Sequence, residues 1–206
     1  MNILAIDQAQ DGAWSVFNFK TKELIAYGCF NVKSSKWSYS KSILMIEQYI
    51  DTLIDPYDIK AVFIEDTNMR PSAVQAFKRL AQLQGVLINY CEKNNIPYGI
   101  VITASWQKLC REVGKELYDD FQDESDRLKE EGYQLSKIPS TVFVDKHYGI
   151  NTKNNNLADA IAIGYYAVNK FQFEDGEMKE QKEDAKNGKR KSKKGINQRS
   201  GKGTEA

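Results

Sequence analysis

Cysteine is scarce in this 206-residue sequence and follows no ligand pattern. Cys29, Cys91 and Cys110 are odd in number, widely separated and form no C-x-x-C pair. Disulfide frameworks and zinc sites need patterned ligands, so this usage disfavours both, and it also disfavours a catalytic thiol. The cysteines are therefore interpreted as reduced thiols in a cytoplasmic protein.

Long apolar runs are missing too. No stretch is long enough to span a membrane, and the first strand pattern ends in an acid without the basic region of a signal peptide. The length predicts a single folded domain, placed at residues 1–173. Beyond Glu174 the sequence loses hydrophobic periodicity, which predicts a disordered tail over residues 174–206.

Charge is balanced overall but unevenly placed. The net charge is +1, yet residues 186–206 hold eight Lys or Arg and one acid, which gives +7. The rest of the chain has 21 basic and 27 acidic residues and carries −6. An acidic body with a basic tail suggests a polyanionic partner reached partly through the tail. A solubilising extension explains the same composition equally well.

The order of predicted elements favours an α/β fold with a mixed sheet. Three strands at residues 3–7, 13–18 and 24–31 are joined by tight turns and must be antiparallel, because such connections are too short for crossovers. Further strands are predicted at residues 59–65 and 96–103. Helices are predicted at residues 38–53, 72–91 (capped by Ser72), 140–148 and 157–168, with a short helix from residue 105. The charged segment 112–137 is either a solvated helical excursion or a mobile lid.

Three acids stand where they should meet. Asp7 and Glu65 each end a buried strand, so parallel neighbouring strands would bring both to one end of the sheet. Asp159 is the only charge in an apolar, alanine-rich helix, and Asn156 precedes it by three positions. Converging carboxylates repel one another without a cation. Their natural use is to hold Mg²⁺ or Mn²⁺, and two such ions about 3.5–4 Å apart can hydrolyse a phosphodiester.

Three blocks of sequence carry a family resemblance. They are residues 3–7 (Ile-Leu-Ala-Ile-Asp), residues 62–65 (Val-Phe-Ile-Glu) with the helix segment 81–86, and residues 157–163 around Asp159. In this order they resemble the RuvC-type Holliday-junction resolvases of the RNase H-like superfamily, over most of residues 1–170. Each block is weak alone, but the ordered set is fairly specific. The divergent sequence and its insert are similar to those of family members carried by phages of Gram-positive bacteria.

The resemblance implies an RNase H-like fold, with the mixed central sheet flanked by helices. It also implies a Mg²⁺-dependent endonuclease, in which Mn²⁺ can substitute and two ions occupy each site. Asp7, Glu65 and Asp159 would be the catalytic metal ligands, with Asn156 as an auxiliary ligand. The expected substrate is four-way or other branched DNA, cut by paired nicks by a homodimer in the cytoplasm of a bacterial or phage-infected cell.

The chain departs from the family in several places. Asn156 stands where the family has a second acid or a histidine, and its neutral amide would lower the affinity for a second ion. Asp66 is adjacent to Glu65 and could compensate. Asn68 stands near the position at which the family has an aromatic residue that helps to open the junction. The segment 112–137 has no counterpart in the compact members of the family. The only histidine, His147, is outside the aligned catalytic position and is interpreted as structural or surface.

Other side chains have two interpretations each. Trp14 and Trp37 are interpreted as core or interface aromatics rather than base-stacking platforms. Lys137, Lys146 and Arg70 are candidates for phosphate contacts, and a solvated side chain is the alternative for each.

Three alternative functions remain open on the sequence. An enzyme of the same superfamily that cuts RNA–DNA hybrids or flap DNA would keep the same acids. A non-cutting protein that binds branched DNA would explain the loss of charge at Asn156, although the three retained acids argue against it. An actin-like or sugar-kinase ATPase also opens with a strand-end Asp, but its second phosphate loop and duplicated domain are missing.

Overall fold

A five-stranded mixed sheet forms the centre of the computed structural model, which describes residues 1–33, 36, 38–67, 71–174 and 177–181. The sheet has the strand order β3-β2-β1-β4-β5. Its strands are β1 (Asn2–Asp7), β2 (Asp11–Asn18), β3 (Leu24–Asn31), β4 (Ile59–Glu65) and β5 (Tyr98–Val101). The predicted mixed sheet and its antiparallel meander are confirmed.

Strand β1 lies between an antiparallel and a parallel neighbour. It pairs antiparallel with β2 and parallel with β4, and β4 pairs parallel with β5. The β1–β4 register places Ile6 opposite Ile64. Asp7 and Glu65 are the next residues of the two strands, so both leave the sheet at the same edge.

Helices cover both faces of the sheet. They are α1 (Tyr39–Ile54), α2 (Val74–Lys93), α3 (Thr103–Leu117), α4 (Phe121–Glu130), α5 (Ile138–Tyr148) and α6 (Asn155–Lys170). Side chains alternate along β1, so Ile3 and Ala5 face a core shared with α3, α5 and α6. Leu4 and Ile6 face the opposite core, which α1 and α2 complete. The result is three layers, with β1 and β4 buried on both faces.

Two features of the predicted helices are wrong: the cap of α2 and the length of α3. Ser72 does not cap α2, because a 3₁₀ turn at Pro71–Ala73 precedes the helix and Ala73 takes the cap position without a side-chain bond. The helix predicted to be short from residue 105 is α3, with 15 residues beginning at Thr103.

The tail prediction is wrong at its start. Strands β6 (Phe171–Glu174) and β7 (Glu177–Glu180) form an antiparallel hairpin that extends from the predicted domain into the segment predicted to be disordered, which contains all of β7. Met178 is buried in the core, and Phe171 packs edge-on against Phe63 with ring centroids 4.9 Å apart. These apolar anchors, spaced within a polar sequence, are too few to give a periodic pattern. Residues 182–206, which hold the basic tail, lie outside the described residues.

Most of the charged segment 112–137 is helical, as the solvated-helix interpretation predicts. It contains the end of α3 and the whole of α4, and Arg127 on α4 contacts both Glu124 and Glu131. Phe121 and Leu128 are nevertheless buried, so α4 is anchored on the domain by two side chains. Gly114 leaves the space that the Phe121 ring fills.

No helix within the described ranges is long and apolar enough to cross a membrane. All three cysteines are free thiols, with Cys91 and Cys110 buried and Cys29 exposed.

Helix α6 approaches the sheet closely through its small residues. The Ser15 hydroxyl of β2 donates a buried hydrogen bond of 2.7 Å to the backbone carbonyl of Ala160. One turn later, a Cβ atom on Gly164 would lie 2.5 Å from the Phe17 ring. The small residues thereby let the helix that carries Asp159 reach the central strands.

We expect Gly164→Ala to lower the free energy of unfolding by about 1–3 kcal/mol, because overpacking a close contact displaces Phe17 and the helix. The measurement is urea unfolding at equilibrium. Gly85→Ala is the matched control, since Gly85 lies in α2 with open space around it. Alanine there should stabilise the helix by about 0.5–1 kcal/mol. Equal stability of the two variants would contradict the close-packing account of α6.

Candidate active site

The three carboxylates predicted from the sequence gather at the end of β1 and β4. Asp7 is buried, and the negative charge of Glu65 on the neighbouring strand acts on it and raises its pKa. Asp159 lies on α6, is fully buried and interacts electrostatically with both. Residues separated by more than 150 positions in the sequence thus form one acidic group, which we call the carboxylate cluster (Asp7, Glu65 and Asp159).

Glu65 is held by the first turn of α3. Its Oε1 accepts hydrogen bonds from the Thr103 hydroxyl at 2.8 Å and from the indole N–H of Trp106 at 3.2 Å. These two donors are three positions apart and therefore share one face of the helix. Trp106 is fully buried, so the direction of its donor is fixed by packing.

Asp159 is held by the start of α5. Its Oδ1 accepts a 2.6 Å hydrogen bond from the Ser140 hydroxyl, and its Oδ2 forms an ion pair with the Lys137 ammonium group. Burial raises the pKa of Asp159 to about 6, against the opposing effect of Lys137 and Ser140. Lys137 therefore supplies the positive charge that the deepest carboxylate needs.

Asp7 is the least compensated member of the cluster. Burial raises the pKa of Asp7 well above its usual range, and the negative charges of Glu65 and Asp159 raise it further. Lys137 opposes that rise. The Asp7 Oδ2 atom is buried and receives no hydrogen bond from any residue that the structure describes. A buried, unpaired carboxylate oxygen among like charges is a favourable position for a cation.

Asn156 lies on the first turn of α6, in the same helix as Asp159. Asn154 caps this helix by accepting from the backbone N–H groups of Asn156 and Leu157. The Asn156 side-chain Nδ2 donates a 2.5 Å hydrogen bond to the backbone carbonyl of Asp11. Its Oδ1 is the atom of the amide that could contact an ion, because the amide nitrogen is a hydrogen-bond donor.

The donor chemistry fits a hard cation, but the described residues do not form a ready-made ion site. Among them, no three acidic, histidine or cysteine side chains are grouped closely enough to hold a metal. Lys137 already pairs with Asp159, and Glu65 Oε1 already accepts hydrogen bonds from Thr103 and Trp106. Carboxylate oxygens are nonetheless the ligands that Mg²⁺ and Mn²⁺ prefer, and Asp7 offers one that is unpaired.

Other predicted site residues are placed as follows. Asp66 does not join the cluster by any described hydrogen bond, since its Oδ1 accepts from the Thr67 backbone N–H at 2.8 Å. Lys146 forms an ion pair with Asp120. Trp14 is buried, as a core aromatic should be. Trp37, Asn68 and Arg70 lie outside the described residues.

His147 belongs to an aromatic group. It stacks on Phe143 with centroids 4.9 Å apart, and its Nδ1 lies 2.7 Å from the Tyr118 hydroxyl. Burial lowers the pKa of His147. These contacts support the structural interpretation of this residue.

The side chains that hold the cluster were missed by sequence reasoning. Lys137 was considered only for phosphate contact, and Ser140, Thr103 and Trp106 were not considered. The available signal was spacing, because each pair is three positions apart at the start of a helix. That spacing is common in helices and does not by itself identify a functional pair.

Comparison with known proteins supports the fold. No protein-family model matches the sequence, and no curated protein matches it significantly. The T. thermophilus RuvC in complex with a Holliday junction substrate is 12% identical, with a TM-score of 0.55 over 81% of this chain and 92% of that one. A second Thermus thermophilus RuvC structure is 14% identical, with a TM-score of 0.52 over 81% and 93%. The predicted RNase H-like fold is confirmed.

We expect Lys137→Met to destabilise the protein by about 3–5 kcal/mol near pH 7, because it leaves the buried Asp159 carboxylate without its partner. Without Lys137 the pKa of Asp159 rises above its present value of about 6. Below that pKa the carboxyl group is neutral, so the cost of the substitution should shrink as the pH falls toward 5.

The measurement is urea unfolding of both proteins, without divalent ions, from pH 5 to pH 8. Lys153→Met, at an exposed position, is the matched control and should change stability little at any pH. A cost that does not depend on pH would show that Lys137 acts through packing rather than through Asp159.

Proposed function

We propose that this chain is a metal-dependent, structure-specific endonuclease that cuts four-way or other branched DNA by paired nicks. The observation that carries the proposal is the carboxylate cluster at the end of β1 and β4. In it, the Oδ2 atom of Asp7 is buried and receives no hydrogen bond from any described residue. The shared fold with RuvC, which has been solved with a Holliday junction substrate, supports the choice of DNA.

The ions in this proposal are Mg²⁺, or Mn²⁺ in its place, with two per site. Asp7, Glu65 and Asp159 would hold them, with the Oδ1 of Asn156 as an auxiliary neutral ligand. When bound, the ions would activate a water molecule and stabilise the leaving oxygen of the cleaved phosphodiester. Because Asn156 adds no charge, the second ion should bind more weakly than the first.

The chain's own residues prepare this site. Thr103 and Trp106 hold one oxygen of Glu65, and this leaves its second oxygen for a ligand. Ser140 orients Asp159, while the Lys137 ammonium group brings positive charge to a group of acids. That charge would also favour the approach of a DNA phosphate.

A homodimer is part of the proposal. A four-way junction presents two symmetric strands for cleavage, and two copies of one site related by a twofold axis match that symmetry. The basic tail of residues 186–206 would add affinity for the phosphate backbone that does not depend on sequence.

We expect Asp7→Asn to reduce cleavage of a synthetic four-way junction by at least about a hundredfold, since loss of an ion ligand removes several kcal/mol of transition-state stabilisation. Junction binding measured in a chelator should survive, because the substitution keeps the shape of the side chain. Asp66→Asn is the matched control, as it removes a neighbouring carboxylate whose described partner is the Thr67 N–H. Undiminished cleavage by Asp7→Asn would overturn the metal-site assignment.

The same assay distinguishes the substrates. Linear duplex, flap DNA and an RNA–DNA hybrid are compared with the junction, in Mg²⁺ and in Mn²⁺. Preference for the junction, with cuts at symmetric positions, is the expected result. Preference for the hybrid or the flap would replace the junction in this proposal while keeping the nuclease, and binding without any cut would indicate a non-cutting protein.

Removal of residues 182–206 should leave the fold intact and weaken junction binding mainly at low salt. The truncation is placed after Gln181 because β7 packs Met178 into the core. The slope of log affinity against log salt should become shallower, since it counts the phosphates that the protein neutralises. The measurement is fluorescence anisotropy from about 50 to 200 mM salt, a range in which this effect is large. An unchanged slope would mean that the tail does not contact DNA.

A further inference from the structure

Gln8 is a buried residue at the end of β1 that connects this strand to the end of β4. It follows Asp7 directly in the chain and is only 4% exposed. Its Nε2 donates a 2.6 Å hydrogen bond to the backbone carbonyl of Glu65. The residue after one cluster member is thus bonded to the backbone of another.

A second carboxamide, from a different element, donates to the same carbonyl. Gln84 on α2 donates from its Nε2 to the Glu65 carbonyl at 3.2 Å. Its Oε1 accepts from the Thr67 hydroxyl at 3.2 Å, just beyond the end of β4. Two glutamines from different elements therefore clamp the backbone of Glu65.

The clamp lies where the strand ladder stops. The pairing of β1 with β4 ends at Ile6 and Ile64, one residue before the carboxylates. Beyond that point the ladder no longer fixes the separation of the two strands. The bond from Gln8 to Glu65 continues the connection across the two strand ends and so sets how far apart Asp7 and Glu65 lie.

The other end of the Gln8 carboxamide is unpaired. Its Oε1 is buried and receives no hydrogen bond from the described residues, as is also true of the Asp7 Oδ2. Such an acceptor is costly unless a donor from a ligand reaches it.

We propose that Gln8 is a positioning residue for the ion site: its hydrogen bond to the Glu65 carbonyl fixes Glu65 relative to Asp7. The inference rests on the proposed function, because it needs an ion at the carboxylate cluster. Second ligand shells of this kind commonly change metal affinity by about 10–100-fold.

The test measures Mn²⁺ binding to the full chain by isothermal titration calorimetry. Gln8→Met keeps the length of the side chain and removes both the donor and the acceptor. We expect it to weaken Mn²⁺ binding by about tenfold or more, while junction binding in a chelator stays within about twofold. Gln10→Met is the matched control in the same loop, where the side chain is partly exposed, and should bind Mn²⁺ as the unaltered protein does.

Gln84→Met is the second variant, and it protects the test against misfolding because Gln84 is only half-buried on α2. It should weaken Mn²⁺ binding less than Gln8→Met does, because Gln84 supplies only the longer bond to Glu65. The double variant should lose less than the sum of the two, since both glutamines bond to one carbonyl.

The outcomes separate this inference from the proposed function. If Asp7→Asn loses the ion while Gln8→Met and Gln84→Met keep it, the role of Gln8 is overturned and the metal site stands. If Asp7→Asn keeps the ion, the proposed metal site itself fails. Should Gln8→Met not fold, unaltered Mn²⁺ binding by Gln84→Met overturns the clamp.

Discussion

Repulsion between buried carboxylates is the constraint on which the rest of the site depends. Asp7 and Asp159 are buried beside the half-buried Glu65, where water screens their charges poorly, and burial and mutual charge together raise the pKa of Asp7. The fold partly offsets this cost with Lys137, which pairs with Asp159. One ammonium group facing three acids leaves negative charge uncompensated, which is the electrostatic basis for inferring a cation.

The fold also determines where each of the three acids lies and how two of them are oriented. Parallel pairing of β1 and β4 brings two acids to one edge, and the small residues of α6 let the third approach. The starts of α3 and α5 then provide the donors that fix Glu65 and Asp159. Glu65 and Asp159 are thus oriented by different helices, and Asp7 is placed by β1, so the site requires the whole α/β domain rather than any single motif.

Sequence patterns predicted the strands and the three acids because these depend on local periodicity. A strand that ends in a carboxylate, or a lone Asp among alanines, is visible without a structure. The partners of those acids were not predictable, because Lys137 and Thr103 meet their carboxylates only through the packing of distant helices. The hairpin at the start of the tail was missed for a related reason, since Phe171 and Met178 become core residues only when β5 and α6 are in place.

The most direct test of the central claim is anomalous diffraction from crystals of the full chain soaked in Mn²⁺. The account predicts an anomalous peak in contact with carboxylate oxygens of Asp7, Glu65 and Asp159. Absence of any peak at the carboxylate cluster, in crystals where Mn²⁺ is bound elsewhere on the chain, would contradict it.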